Sequence, residues 1–169
     1  MPDQIKPLQP PDNMHLQAAE GWLGLGNQVE AFEELEQISP QLRVHPDVLE
    51  LRWQIYAKEK KWDACVDIAR AITKFTPSHP NGWIHLAFSL HELKRTKESK
   101  EVLLLVVDKF PEESVMRYNL ACYECELGNL KESRAWLEKA FNLGDAKQLK
   151  PTALDDPDLE PLWKKIGET

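Results

Sequence analysis

Glycine, cysteine and long apolar runs are all scarce in this 169-residue chain, and each shortage removes a class of protein. Seven glycines leave no Gly-rich loop to cradle a phosphate, and Gly21, Gly24 and Gly26 do not follow a strand-like stretch. The three cysteines, Cys65, Cys122 and Cys125, are an odd number. Met1-Pro2-Asp3-Gln4 has no basic region leading into an apolar run, so reduced thiols in the cytoplasm are the expectation. The longest apolar run, Val102 to Val107, falls far short of the roughly 20 residues of a membrane span. Basic residues are in the minority, 21 Lys and Arg against 28 Asp and Glu. A surface of that sign opposes phosphate neutralisation, so nucleic acid is not expected as partner, and the short apolar runs give no expectation of a membrane.

What is present is a pattern. A content of 42% hydrophobic and 29% charged residues can build a core, though a thin one. A shift of 34 residues brings Gly26, Lys60, Lys94 and Gly128 to one phase, each in a short polar break. Five residues later stand Ala31, Cys65, Ser99 and Ser133, all small. Then come Leu35, Ala69, Leu103 and Leu137, followed by Ile38, Ile72, Val106 and Ala140. Offsets of four and three mark one face of a helix, so each unit predicts an amphipathic helix after the break. Ahead of the break, Ala19, Trp53, Ala87 and Ala121 align, and a small residue there lets two helices cross closely. Trp22 and Trp83 fall on core phases. Pro77 and Pro111 stop the second helices of the middle units.

A 34-residue helix–turn–helix unit of this kind resembles the tetratricopeptide repeat. The third unit carries it best, with Trp83, Leu86, Ala87 and Leu90, then Ser99, Leu103, Val106 and Pro111. Tyr118-Asn119-Leu120-Ala121 opens the fourth in the same manner. The resemblance implies an all-α solenoid of antiparallel helix pairs wound as a right-handed superhelix. Four repeats are expected at about 12–45, 46–79, 80–113 and 114–147. His15, Arg52, Trp53 and Arg117 depart from the pattern, and Pro40 ends the first unit's second helix early.

Residues 1–11, with four prolines, read as a flexible lead, and Asp12 as a helix cap. Residues 148–169 read as a linker and a capping helix. Asp156 caps that helix, Pro157 starts it, and Leu159, Leu162, Trp163 and Ile166 share one face.

Chemistry is thinly represented. Cys122 and Cys125 are one helical turn apart and, with His85 and His91, could be drawn as a zinc set, but packing explains them more simply. No serine sits in a nucleophile elbow, and no catalytic residue, metal ligand or cofactor is expected. The resemblance implies instead a non-catalytic scaffold, or adaptor, holding a protein or peptide segment on a concave face lined by first helices. Its lining residues would include Glu50, Gln54, Ile84, His85, Phe88, His91, Tyr118, Asn119, Cys122 and Cys125, with Glu20, Asp47 and Lys58 beside them. Phe88 and Tyr118 are the aromatic anchors. A small cytoplasmic chaperone of a secreted substrate is the variant reading, and a Cys/His metal- or thiol-dependent protein the reading of another class. Partner identity and oligomeric state stay open.

Overall fold

The structure, a computed structural model, describes residues 4–168. Among these residues there are ten α-helices and no strand, and they fall in two compact units that divide between Ser89 and Leu90.

In the first unit α1 (Asp12–Gly24) packs on α2 (Gln28–Gln37), and α3 (Pro46–Lys58) packs on α4 (Trp62–Phe75). A 3-10 turn, Pro40–Leu42, joins the pairs, and α5 (Pro80–Glu92) follows. Ala19, Leu23, Ala31, Leu35, Ile38, Val48, Leu51 and Ile55 form one core cluster. Leu49, Ile68 and Ile72 form another, against Trp53 and Tyr56. Gly82 is fixed by closeness: a Cβ there would meet Ile72 Cγ2 at 2.8 Å and the Thr73 backbone nitrogen at 3.1 Å.

The second unit holds α6 (Thr96–Val106), α7 (Ser114–Glu126), α8 (Leu130–Leu143), α9 (Ala146–Asp155) and α10 (Trp163–Gly167). The 3-10 segment Pro157–Leu162 joins the last two. It packs on α7, while α7 packs on α8 and α6.

The 34-residue period has a backbone cause. Gly26, Lys60, Lys94 and Gly128 all have φ between 57° and 83°, the left-handed region. Each ends a first helix in the same way. The amides of Asn27, Lys61, Arg95 and Asn129 reach back to the carbonyls of Trp22, Tyr56, Leu90 and Glu124 at 2.8–2.9 Å. The left-handed residues themselves bond Leu23, Ala57, His91 and Cys125 at 2.8–3.0 Å. That double closure is the Schellman cap, which wants glycine at its left-handed position. Lysine there carries a Cβ penalty, so Lys60→Gly and Lys94→Gly should each raise stability by about 1 kcal/mol. Urea denaturation checks this; a loss at either position would mean that the lysine side chain contributes more than its backbone costs.

The small column is where the paired helices touch. Ala31, Cys65, Ser99 and Ser133 are all 0% exposed. Ser133 Oγ donates to the Ala121 carbonyl, and Cys65 Sγ approaches the Trp53 carbonyl at 3.8 Å, so both reach the same position of a first helix.

Each departure from the repeat pattern has its own satisfaction. Arg52 pairs with Glu36 at 2.8 Å and lies 5.2 Å over the Phe32 ring. His15 meets Glu34 at 2.8 Å. Arg117 donates to the carbonyls of Phe110 and Glu113, both at 2.9 Å, and of Val107 at 3.4 Å, tying down the chain between α6 and α7.

Four expectations need correction. Asp12 does not cap its helix; it is the first residue of α1, and its carboxylate accepts from Ser39 N at 2.6 Å and Ser39 Oγ at 3.2 Å. Trp22, placed on a core phase, is 37% exposed, because α1 turns its buried stripe to Ala19 and Leu23 instead. Within the stretch expected to be loose, Leu8 is buried in the first unit's core and the Lys6 carbonyl bonds His45 Nε2 at 3.0 Å; residues 1–3 lie outside the described residues. The segment after Gly144 is no plain linker but contains α9, with Pro151 inside it.

Candidate functional site

In the first unit, the faces of α1 and α3 enclose a cavity of about 500 Å³. Glu50 and Gln54 line it, as do Glu20, Asp47 and Lys58 of the wider predicted set, over a floor of Leu16, Leu23 and Leu51. Three carboxylates against one ammonium make it acidic. Helical spacing places these groups: Asp47, Glu50, Gln54 and Lys58 follow at offsets of three and four along α3.

Glu50 is also bonded to His85 Nε2 at 2.7 Å. Burial alone would raise its pKa, but the His85 hydrogen bond and charge outweigh that and hold it below the ordinary value, so it stays a carboxylate at neutral pH. The His85 ring stacks on Trp53, centroids 3.7 Å apart and planes 14° from parallel. Trp53 Nε1 donates to Ser89 Oγ at 3.0 Å, and Ser89 Oγ donates to the His85 carbonyl at 2.7 Å. Phe88 meets Trp53 and Trp62 edge-on, at 6.4 and 5.6 Å, and keeps 37% of its surface exposed. This explains a departure noted in the sequence. An alanine at position 53 would allow the closest crossing, whereas tryptophan there builds an aromatic shelf with Phe88 at its exposed edge. Ile84 is half-buried on the same helix.

The second unit differs. His91, Cys122 and Cys125 are buried, at 4–5% exposure, and Tyr118 and Asn119 are half-buried. The chain's own segment Pro157–Leu162 lies on α7. Tyr118 Oη donates to Asp156 Oδ2 at 2.8 Å, and Cys122 Sγ approaches the same oxygen at 3.7 Å. Leu159 is 0% exposed. His91 is gripped from two sides, with Nε2 2.9 Å from Asp158 Oδ2 and Nδ1 3.0 Å from Glu126 Oε2. Thr96 Oγ1, 3.1 Å from Nδ1, donates to the same glutamate. Tyr118 as an open anchor is therefore corrected: the tail already covers it. Sequence spacing could not show this, since the pairs are 34 to 67 residues apart. The one available signal was Asp-Pro-Asp-Leu itself, read only as a cap. That cap exists, since Asp156 Oδ1 accepts from Asp158 N at 3.0 Å, while its second oxygen turns to α7.

Burial lowers the His91 pKa on its own, but the Asp158 bond and the charges of Asp158, Glu126 and Glu92 overcome it, and the net shift is upward. Asp158 is held below its ordinary value, first by the His91 bond, against an opposing contribution from burial, with the His91 and Lys94 charges adding. Both shifts have one cause, the placing of the His91 ring between two carboxylates, which favours its protonated form. Burial and the Asp156 and Asp158 charges push the Cys122 thiol far up, and burial raises Cys125 as well. Neutral thiols are poor nucleophiles. His91 with Glu126 and Asp158, and Cys122 with Asp156 and Asp158, form two sets whose ligand atoms lie within 4.8 Å of one another. Asp158 belongs to both, and hydrogen bonds among these side chains satisfy them. No helix of the described residues is long and apolar enough to cross a membrane.

No protein-family model and no curated protein matches the sequence. Among solved structures the chain is similar to MamA MSR-1 C2, at 19% identity and TM-score 0.65, covering 76% of this chain and 74% of that one. It is similar also to the MamA RS-1 ArsTM double mutant, at 14% identity and TM-score 0.71, covering 81% of this chain and 77% of that one. MamA is a tetratricopeptide-repeat protein. Identities this low speak for the fold alone, and they agree with the four repeated helix caps: the chain has the all-helical tetratricopeptide-repeat fold.

Proposed function

We propose that this protein is a non-catalytic scaffold that holds a basic segment of another protein on the α1–α3 face of its first unit, in the cytoplasm. One observation carries the reading: a cavity of about 500 Å³ with an apolar floor and a rim of Glu20, Asp47 and Glu50. An apolar floor supplies affinity, while rim carboxylates select lysine- or arginine-bearing partners and speed their approach. The exposed edge of Phe88, beyond Trp53 in the same unit, adds an aromatic contact.

The test uses exposed rim residues, which can be changed without disturbing the core. In a peptide array, binders should be enriched in Lys and Arg next to an aliphatic or aromatic residue. Glu20→Lys with Asp47→Lys should weaken the best of them at least tenfold and leave the melting temperature nearly unchanged. Added salt should weaken wild-type binding too. Binders with no basic preference, or a charge-reversed variant of undiminished affinity, would remove the assignment.

A further inference from the structure

The tail that covers α7 is attached like a ligand. A cap that merely seals a repeat needs apolar contact, and Leu159 and Leu162 supply it. Here the two carboxylates before Leu159 also reach separate partners on the face below, Asp156 to Tyr118 and Asp158 to His91. Pro157 opens the 3-10 segment, and Pro161 inside it withholds the backbone donor that an α-helix would use there. Past Leu159 the tail fits more loosely. A cavity of about 360 Å³ lies between α8 and the tail, with Leu137 and Phe141 on one side and Leu162 and Ile166 on the other. Trp163 is only half-buried. Charge-dependent anchors, with a looser fit just beyond them, describe a contact that can open.

We propose that the His91–Tyr118–Cys122 face of the second unit is a docking site for an acidic segment of the form Asp-x-Asp-Leu in a partner protein, occupied at rest by residues 156–159 of this chain. The chemistry that would recognise the partner is already displayed: the His91 ring Nε2 for one carboxylate, the Tyr118 hydroxyl for the other, and the fully buried position that Leu159 takes. An attached segment competes at an effective concentration of order millimolar, so a partner must outbid it or act when it has lifted. The proposal rests on the chain being a peptide-binding scaffold, but it concerns a different face and a partner of opposite charge, so failure of the basic-peptide test leaves it standing.

The experiment uses the full chain and a fluorescent synthetic peptide copying residues 153–167. Wild type should bind it weakly. The full-length variant Asp156→Asn/Asp158→Asn, whose own tail has lost its carboxylates, should bind at least tenfold more tightly. A peptide carrying the same two asparagines should bind neither protein. If the variant retains wild-type circular dichroism and takes up no more peptide than wild type, the tail is a fixed cap and the proposal is overturned. Should the variant unfold, hydrogen exchange on wild type decides. Amides of 156–166 exchanging well before those of α7 and α8, and faster still under excess peptide, support docking; exchange only with global unfolding refutes it.

Discussion

Arg117→Met should lower unfolding free energy by about 3 kcal/mol, the largest loss expected from any single polar side chain here. Arg117 is 9% exposed, and its guanidinium serves three carbonyls, those of Val107, Phe110 and Glu113, across the passage from α6 to α7. Charge-assisted bonds are each worth roughly 1.5–3 kcal/mol, and water recovers part of that where the loop is open. Methionine keeps the apolar stem but offers those carbonyls nothing. Arg117→Lys should recover less than half, because one ammonium cannot span the spread that the planar fork covers. Equilibrium urea unfolding, read at constant m-value, gives the number. A loss below about 1 kcal/mol would show that the carbonyls find water without strain.

His91→Leu should lower stability by about 2 kcal/mol, because two charge-assisted bonds disappear and leave Asp158 and Glu126 without their cation. The loss stays this small because the carboxylates of Asp158 and Glu126 are 39% and 34% exposed and water can screen them. The wild-type pH profile carries the same information. His91 has a folded pKa above its ordinary 6.5, so its contribution is complete below that value and is lost as pH rises through the folded one. Asp158 lies below its ordinary 3.8, so its contribution is present above that value and is lost as pH falls through the folded one. The tail should thus be held best between about pH 4 and 6.5 and loosen on the alkaline side. The facing groups are Glu92, Lys94, Thr96, Cys122, Tyr123, Cys125, Glu126, Asp156 and Asp158; burial and the neighbouring carboxylates push both thiols up, so His91 is the group that accounts for a neutral-to-alkaline loss. A flat profile from pH 5.5 to 8.5, or one unaltered by Asp158→Asn, would show His91 to be no clamp.

The period of the fold was legible because it is written in local terms. A left-handed residue every 34 positions and a small residue five later fix the turn and the crossing, and both are read within one helix pair. Lysine at two of the four turns shows the limit of composition: position, rather than glycine, was the signal. The grouping of Asp47, Glu50, Gln54 and Lys58 was legible for the same reason, since those residues share one face of α3. The covering of Tyr118 and Cys122 was not, because it depends on polar contacts over long sequence separation, which no hydrophobic period records. α9 was missed through Pro151, normally a reason to end a helix. Trp22 was misplaced because α1 is short of apolar residues on either candidate face, and tertiary packing chose between them.

The three thiols divide between the units in a useful manner. Cys65 is 0% exposed in the first, its thiol pushed up by burial to about 11, and Cys122 and Cys125 are enclosed in the second. An alkylating reagent at neutral pH must therefore wait for each to open. Peptide mapping of the labelled positions turns the chain into its own pair of stopwatches, one for each half.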